Sequence, residues 1–145
     1  MTGNLNYILF ALLLSVLPLM SMGQSGIFGH WKTYDDKSGN ARSIVEITKR
    51  DGKAYGVIQK VFLQPGEPED PLCIECEDHR KDQPILGMEV ITGLEKNGDT
   101  WEGGEILDPE SGRTYRCKIW LEDGKLKVRG YLAFLYRTQT WIREN

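Results

Sequence analysis

Two cysteines three positions apart, Cys73 and Cys76, are the residues whose type and spacing most directly suggest chemistry. Three uses of this Cys-x-x-Cys motif are open. A disulfide between them would staple the surrounding segment while closing only a very short ring. A free dithiol would exchange with other disulfides. A pair of thiolates, joined by His79 and a further ligand, would bind a zinc ion.

The segment that carries these cysteines is strongly acidic. Residues 63–82 hold seven carboxylates against two cations, Arg80 and Lys81, so their net charge is −5. The whole chain carries −3, and the remainder is therefore +2. Neighbouring carboxylates raise the pKa of a thiol and weaken it as a nucleophile. Only three zinc ligands are local, whereas a structural zinc site needs four. We therefore expect a disulfide, and keep a metal- or redox-responsive module as an alternative.

Other candidate chemistry is sparse. Cys117 stands among the apolar positions of an alternating segment, where a buried free cysteine is an ordinary core residue. Glu102 and Glu105 are three residues apart in a predicted strand, which places them on opposite faces rather than together. The sequence contains no nucleophile elbow, zinc-protease motif or phosphate-binding glycine loop. We expect no enzymatic activity and no cofactor.

These residues must be positioned by β-structure. Turn signals such as Asp51-Gly52, Asn97-Gly98 and Asp123-Gly124 separate segments in which apolar and polar residues alternate, as in half-buried strands. The pattern predicts eight strands, near 27–34, 42–48, 53–62, 88–95, 100–107, 115–121, 125–132 and 136–143. Eight antiparallel strands with mostly short connections favour an all-β, up-and-down barrel, because closure removes the edges. A two-sheet β-sandwich is the alternative.

An eight-stranded barrel is filled by side chains or holds one small ligand. Aromatic residues with a few polar groups are typical of such a pocket. By alternation, the side chains expected to point inward and to contact a ligand are Tyr55, Gln59, Trp101, Glu105 and Tyr115.

The N-terminus predicts export. Residues 8–20 are an uncharged run too short for a comfortable membrane span and suited to a signal peptide, with cleavage expected before Gln24. An uncleaved anchor is the alternative. We expect a signal peptide at 1–23 and one β-barrel domain at 24–145, with the acidic Cys-x-x-Cys loop at 63–83. The expected location is periplasmic or secreted, without stable membrane insertion.

A mildly acidic chain lacks the charge of a nucleic-acid binder.

The two ends of the predicted domain resemble the lipocalin and calycin pattern. Gly29 and Trp31 form a Gly-x-Trp motif on the first strand, and the last strand carries Arg137 and Arg143. The resemblance implies that one of these arginines packs over Trp31 at the closed end of a barrel. A guanidinium stacked on an indole stabilises by about 0.5–2 kcal/mol. The sequence does not choose between the two arginines.

A more specific resemblance covers nearly the whole predicted domain. The chain resembles domain of unknown function family 2147, small secreted proteins of Gram-negative bacteria. The segments that carry the resemblance are 31–36, 42–47, 73–76, 84–87, 101–104, 106–109, 112–115, 128–130 and 137–141. It implies export and one compact β domain, but no reaction, cofactor or substrate.

We therefore predict an exported, non-enzymatic protein that binds a small apolar or amphipathic molecule inside a β-barrel. The second hypothesis is an envelope or stress protein that captures a protein partner through its acidic loop. The third is the metal- or redox-responsive module built on Cys73 and Cys76.

Overall fold

The computed structural model describes residues 26–145, so the predicted signal peptide at 1–23 and the predicted domain start at 24 lie outside the described residues. Eight strands follow one another along the chain. They are β1 (Gly29–Tyr34), β2 (Ala41–Arg50), β3 (Lys53–Val61), β4 (Glu89–Asn97), β5 (Thr100–Asp108), β6 (Arg113–Glu122), β7 (Lys125–Leu132) and β8 (Leu135–Glu144).

The strands form a closed barrel in which each pairs with the next and β8 returns to β1. The closing ladder is antiparallel and short, and its central pair is Trp31 with Arg143. This confirms the predicted up-and-down barrel and excludes the sandwich. Since the strands alternate in direction, β1, β3, β5 and β7 all end at one rim, and their first residues lie at the other.

Trp31 and Arg143 close the end of the barrel where β1 begins. The Arg143 guanidinium lies 4.2 Å from the centre of the Trp31 ring. It donates hydrogen bonds to the carbonyl oxygens of Phe28 and Gly26, at 3.0 and 2.6 Å. The indole nitrogen of Trp31 donates to the carbonyl of Ile27 at 2.8 Å. The segment before β1 is thereby fastened across this end. Gly29 has φ 118°, which only glycine adopts readily.

Arg143 is thus the barrel-closing arginine. Arg137 does not share this role, because it lies near the start of β8, at the opposite end of the barrel. There its Nε atom is 3.1 Å from the Asp36 carboxylate. The inclusion of Arg137 among the barrel-closing residues was wrong, since β8 spans the full height of the wall and separates the two arginines.

Two opposed glycines reverse the alternation of side chains in β4 and β5. Gly93 and Gly103 have φ of 69° and 82°, and the register of β5 with β6 shifts between Trp101 and Gly104. As a result Trp101 and Ile106 both face inward, although they are five residues apart. Gly104 lies so close to the carbonyl of Thr92 that no Cβ fits there. The pair of strands bends at this point, as β-bulges do.

The interior is filled at the closed end. The wholly buried residues there include Trp31, Leu94, Ile119 and Leu126, and Phe28 contacts Trp101 edge to face at 5.4 Å. Large side chains inside eight strands leave little space at this level. Any ligand must therefore lie nearer the other end.

Candidate functional site

The open half of the barrel lies toward the rim where β1, β3, β5 and β7 end. Several residues there share the inner face by strand register but are only half-buried, unlike those around Trp31. We call this part of the interior the cup; its inner-face residues are Ser43, Val61, Ile106, Tyr115, Gly130 and Gln139. Their partial exposure means that solvent reaches the inner wall from this end.

A chain of hydrogen bonds runs along the inner wall to the rim of the cup. The indole nitrogen of buried Trp141 donates to Gln139 Oε1 at 3.1 Å. Gln139 Nε2 in turn donates to Asp36 Oδ2 at 3.1 Å, and the same oxygen is 3.1 Å from Arg137 Nε. We call Asp36, Arg137 and Gln139 the rim triad. It joins the β1–β2 turn to β8 and presents donors and acceptors beside the mouth.

Two of the five predicted ligand contacts face the interior. Trp101 lies in the filled part and is buried, and Tyr115 lies in the cup opposite Ile106. The structure therefore brings Tyr115 to the candidate site and leaves Trp101 below it. A role for either in binding stays a prediction.

The expectation that Tyr55 and Gln59 point inward was wrong. Gln59 donates a hydrogen bond to Glu46 at 2.9 Å on the outer face, and the Arg50 guanidinium stacks 3.8 Å from the Tyr55 ring. The inner face of β3 is instead formed by Ala54, Gly56 and Ile58. A Cβ on Gly56 would be 3.0 Å from Ile91 Cβ, so the wall demands small residues here. Because Ala54 and Gly56 are small, the alternation of large apolar residues did not mark theirs as the inner face of β3.

The inward assignment of Glu105 was also wrong. Glu105 is exposed and pairs with Thr92 and Arg116 on the outer face. The reversal at Gly103 moves every later residue of β5 to the opposite face from the one that simple alternation gives.

The acidic loop is a packed structure. Cys73 and Cys76 form the predicted disulfide, and both are buried. Cys73 Sγ lies 3.4 Å from the carbonyl oxygen of Pro109 in the β5–β6 turn. Gly112, in the same turn, has φ 72° and abuts the carbonyl of Glu75, which leaves no room for a Cβ. The disulfide therefore seats the loop against the barrel wall.

The outer side of this loop is charged and accessible. Six of its carboxylates are exposed: Glu69, Asp70, Glu75, Glu77, Asp78 and Asp82. Capture of a protein partner by this surface stays a prediction.

The metal alternative finds no ligand set among the described residues, and the redox alternative stays a prediction. Within residues 26–145, no group of three or more His, Cys, Asp or Glu side chains is arranged to hold a metal ion. The disulfide leaves Cys117 as the free thiol of this part of the chain. Burial raises the pKa of Cys117 to about 12, so it is a neutral core residue at physiological pH.

Arg80 anchors the loop to β4. It donates to the Glu89 carbonyl at 2.9 Å and to the Asp78 carboxylate at 2.6 Å. The hydrogen bonds that the side chain and the backbone N–H of Arg80 donate to Asp78 lower the pKa of Asp78 to about 2. Because a lowered pKa favours the folded state while the acid is ionised, the contribution is complete above about pH 4 and is lost as the pH falls toward 2.

Asp78→Asn is expected to lower the free energy of unfolding by less than about 1 kcal/mol at pH 7, because the carboxylate is 43% exposed and screened. The difference from the unchanged protein should shrink between pH 4 and pH 2. Urea unfolding across this range measures it. Glu77→Gln, in the same loop, is the matched control. An Asp78→Asn deficit that stays constant with pH would contradict this account.

Residues 26–145 include no helix that is long and apolar enough to cross a membrane.

Comparison with known proteins adds a family and a fold. The model of a family described as "uncharacterized protein conserved in bacteria (DUF2147)" matches residues 29–143. No curated protein matches the chain. A solved structure, protein HP1028 from Helicobacter pylori, described as belonging to the lipocalin family, is similar with a TM-score of 0.67 and 17% sequence identity. The match covers 81% of this chain and 82% of that one. At this identity the similarity concerns the fold.

The rim triad and the exposed apolar residues at the β7–β8 turn were not predicted from the sequence. Asp36 and Arg137 are 101 positions apart, and nothing local connects them. The hairpin did leave a signal, the run Tyr131-Leu132-Ala133-Phe134-Leu135-Tyr136, six apolar or aromatic residues at a strand junction. An exposed run of apolar residues departs from the polar pattern that is usual at a turn, and such a departure indicates a functional surface.

Proposed function

From the premise that the chain belongs to the DUF2147 family of conserved bacterial proteins, we propose that it is a non-enzymatic binding protein. It holds a small apolar or amphipathic molecule in the open half of its barrel. The observation that carries this proposal is the change along the inner wall, from wholly buried side chains around Trp31 to the half-buried residues of the cup. The lipocalin-like fold is compatible with small-molecule binding.

The apolar part of the ligand lies against the cup wall. Ile106 and Tyr115 face one another across β5 and β6, and Gly130 lies beside them on β7. A Cβ at Gly130 would be 3.3 Å from Tyr115 Cβ and 3.8 Å from Ile106 Cγ2. The glycine therefore widens the interior where these two side chains would contact a ligand.

The polar part of the ligand meets the rim triad. Gln139 is held by two hydrogen bonds, one from Trp141 on the side of the closed end and one to Asp36 at the rim. The Arg137 side chain is 70% exposed, so its remaining N–H groups are free to donate to a ligand. A few fixed polar groups beside an apolar wall are what orient a ligand in a pocket of this kind.

We place this activity outside the cytoplasm. The Cys73–Cys76 disulfide and the bacterial family are compatible with an extracytoplasmic location. Export through the predicted signal peptide, to the periplasm or beyond the cell, is the finer proposal. Sequencing the N-terminus of the purified protein tests it, with Gln24 expected as the first residue.

Native mass spectrometry of protein purified from its producing organism tests the binding proposal directly. A bound mass that is lost on acid denaturation is the expected result. The probe for titration is 1-anilinonaphthalene-8-sulfonate, which has apolar rings and one polar group. Absence of both a carried molecule and saturable probe binding would overturn the proposal.

Gly130→Leu is expected to weaken binding of this probe about tenfold or more, because the new side chain must enter the cup. Tyr131→Leu is the matched control, since it introduces the same residue one position later, on the outer face. Circular dichroism and thermal unfolding establish that both variants are folded. A folded Gly130→Leu protein with unchanged affinity would show that the probe does not occupy the cup.

A further inference from the structure

The tip of the β7–β8 hairpin is an exposed apolar surface at the open end of the barrel. Phe134 is 89% exposed. Its neighbours are each more than half exposed, and together with Phe134 we call them the apolar tip: Leu132, Phe134, Leu135 and Tyr136. Four large side chains held in water on one turn are costly unless something covers them.

This turn differs in kind from the turns at the other end of the barrel. Those turns carry Asp51-Gly52, Asn97-Gly98 and Asp123-Gly124, which are polar and suited to positive φ. The β7–β8 turn instead places Ala133 at φ 53°. An L-residue in this conformation costs about 1–2 kcal/mol relative to its usual one. The turn thus has neither the polar residues nor the glycine of the other turns, and it leaves Phe134 exposed.

Aromatic and cationic side chains follow the apolar tip along the outer wall. The Arg129 guanidinium lies 4.3 Å from the ring centre of Tyr136 and 4.9 Å from that of Trp120. Its Nε atom donates to Thr138 Oγ1 at 2.7 Å, which fixes its position. Arg116 lies 6.0 Å from the centre of the Tyr131 ring. The order along the hairpin is therefore apolar, then aromatic, then cationic.

The outer face of β6 and β7 has a positive charge. By strand register it carries Glu122 and five cations: Arg116, Lys118 and Arg129 in the half nearer the apolar tip, and Lys125 and Lys127 nearer the other end of the barrel. The acidic loop joins β3 to β4 at the same rim, across the mouth of the barrel from the hairpin, and is anchored on Glu89 of β4 and on the β5–β6 turn. The −5 loop is thus not fastened to the hairpin.

We propose that the apolar tip and the cations behind it dock the barrel on the surface of an anionic lipid bilayer. The tip would enter the acyl region, the aromatic rings would lie at the interface, and Arg116 and Arg129 would reach the phosphate groups. A second copy of this chain fits the surface less well, because a two-fold contact would bring Arg116 and Arg129 toward their own counterparts. The docked barrel would present its cup to the bilayer. The proposal does not depend on what the cup binds.

Flotation of the purified protein with lipid vesicles tests the proposal. The vesicles are equal parts phosphatidylglycerol and phosphatidylcholine, compared with phosphatidylcholine alone. We expect binding to the anionic vesicles, and we expect salt to weaken it. Phe134→Ser should lower the affinity for these vesicles about tenfold or more, since it removes the large apolar side chain that the bilayer would bury. Ile74→Ser is the matched control, because Ile74 is 61% exposed but lies on the acidic loop.

A fluorescent residue at the apolar tip reports whether the tip itself enters the bilayer, whichever other segment of the chain also binds membranes. Phe134→Trp should give a blue-shifted emission with anionic vesicles and quenching by lipids brominated on their acyl chains. Arg116→Gln combined with Arg129→Gln should weaken binding to anionic vesicles only.

Two results would overturn the proposal. One is equal loss of vesicle binding in Phe134→Ser and Ile74→Ser. The other is the absence of vesicle binding by the unchanged protein; concentration-dependent dimerisation that Phe134→Ser abolishes would then assign the apolar tip to a contact between copies.

Discussion

Trp31→Ala is expected to lower the free energy of unfolding by about 3–5 kcal/mol. Trp31 is wholly buried, and its removal leaves a large cavity at the closed end. It also removes the ring under the Arg143 guanidinium and the donor to the Ile27 carbonyl. Since domains of this size are stable by about 5–15 kcal/mol, this is a large fraction of the total. Urea unfolding at pH 7 measures the change.

Trp120→Ala is the matched control for Trp31. Trp120 also lies under an arginine, Arg129, at 4.9 Å, but it stands half-buried on the outer face of β6. Its loss removes a similar cation–π contact without opening a cavity, and should cost about 1 kcal/mol. Equal losses in the two variants would contradict the view that Trp31 fills the closed end.

Gly104→Ala is expected to destabilise the barrel by about 3 kcal/mol or more, at the upper end of what overpacking costs. The added methyl group would overlap the carbonyl group of Thr92 and the backbone of Gly93. Backbone atoms cannot turn aside as a flexible side chain does, so β4 and β5 would have to separate at their bend. Thermal unfolding, together with hydrogen exchange of the β4–β5 amides, measures the effect.

Gly103→Ala distinguishes this overlap from backbone strain. Gly103 has φ 82° but open space where its Cβ would lie. Its substitution should cost only the conformational strain, about 1–2 kcal/mol. If Gly104→Ala were no more destabilising than Gly103→Ala, the close approach of β4 and β5 would not be essential to the fold.

The candidate site was predicted only in part, for a local reason. Tyr115 lies on β6, whose alternation is regular from Tyr115 to Leu121, and its inward direction was predicted correctly. Glu105 lies beyond the reversal at Gly103, so its predicted direction was wrong. Gly103-Gly104 marks the irregularity in the sequence, but two glycines do not specify which face follows them.

The sequence by itself determined the strands, their order and the Cys73–Cys76 pairing, because turn chemistry, alternation and cysteine spacing are local properties. Closure of eight such strands then followed from the need to hide their edges. Only the tertiary structure decided that Arg143 rather than Arg137 covers Trp31. It also decided that Asp36 reaches β8, and that Phe134 remains in solvent. The Arg143 and Asp36 contacts depend on which distant strands face one another across the closed barrel, and residues over a hundred positions apart carry no local signal of such a contact.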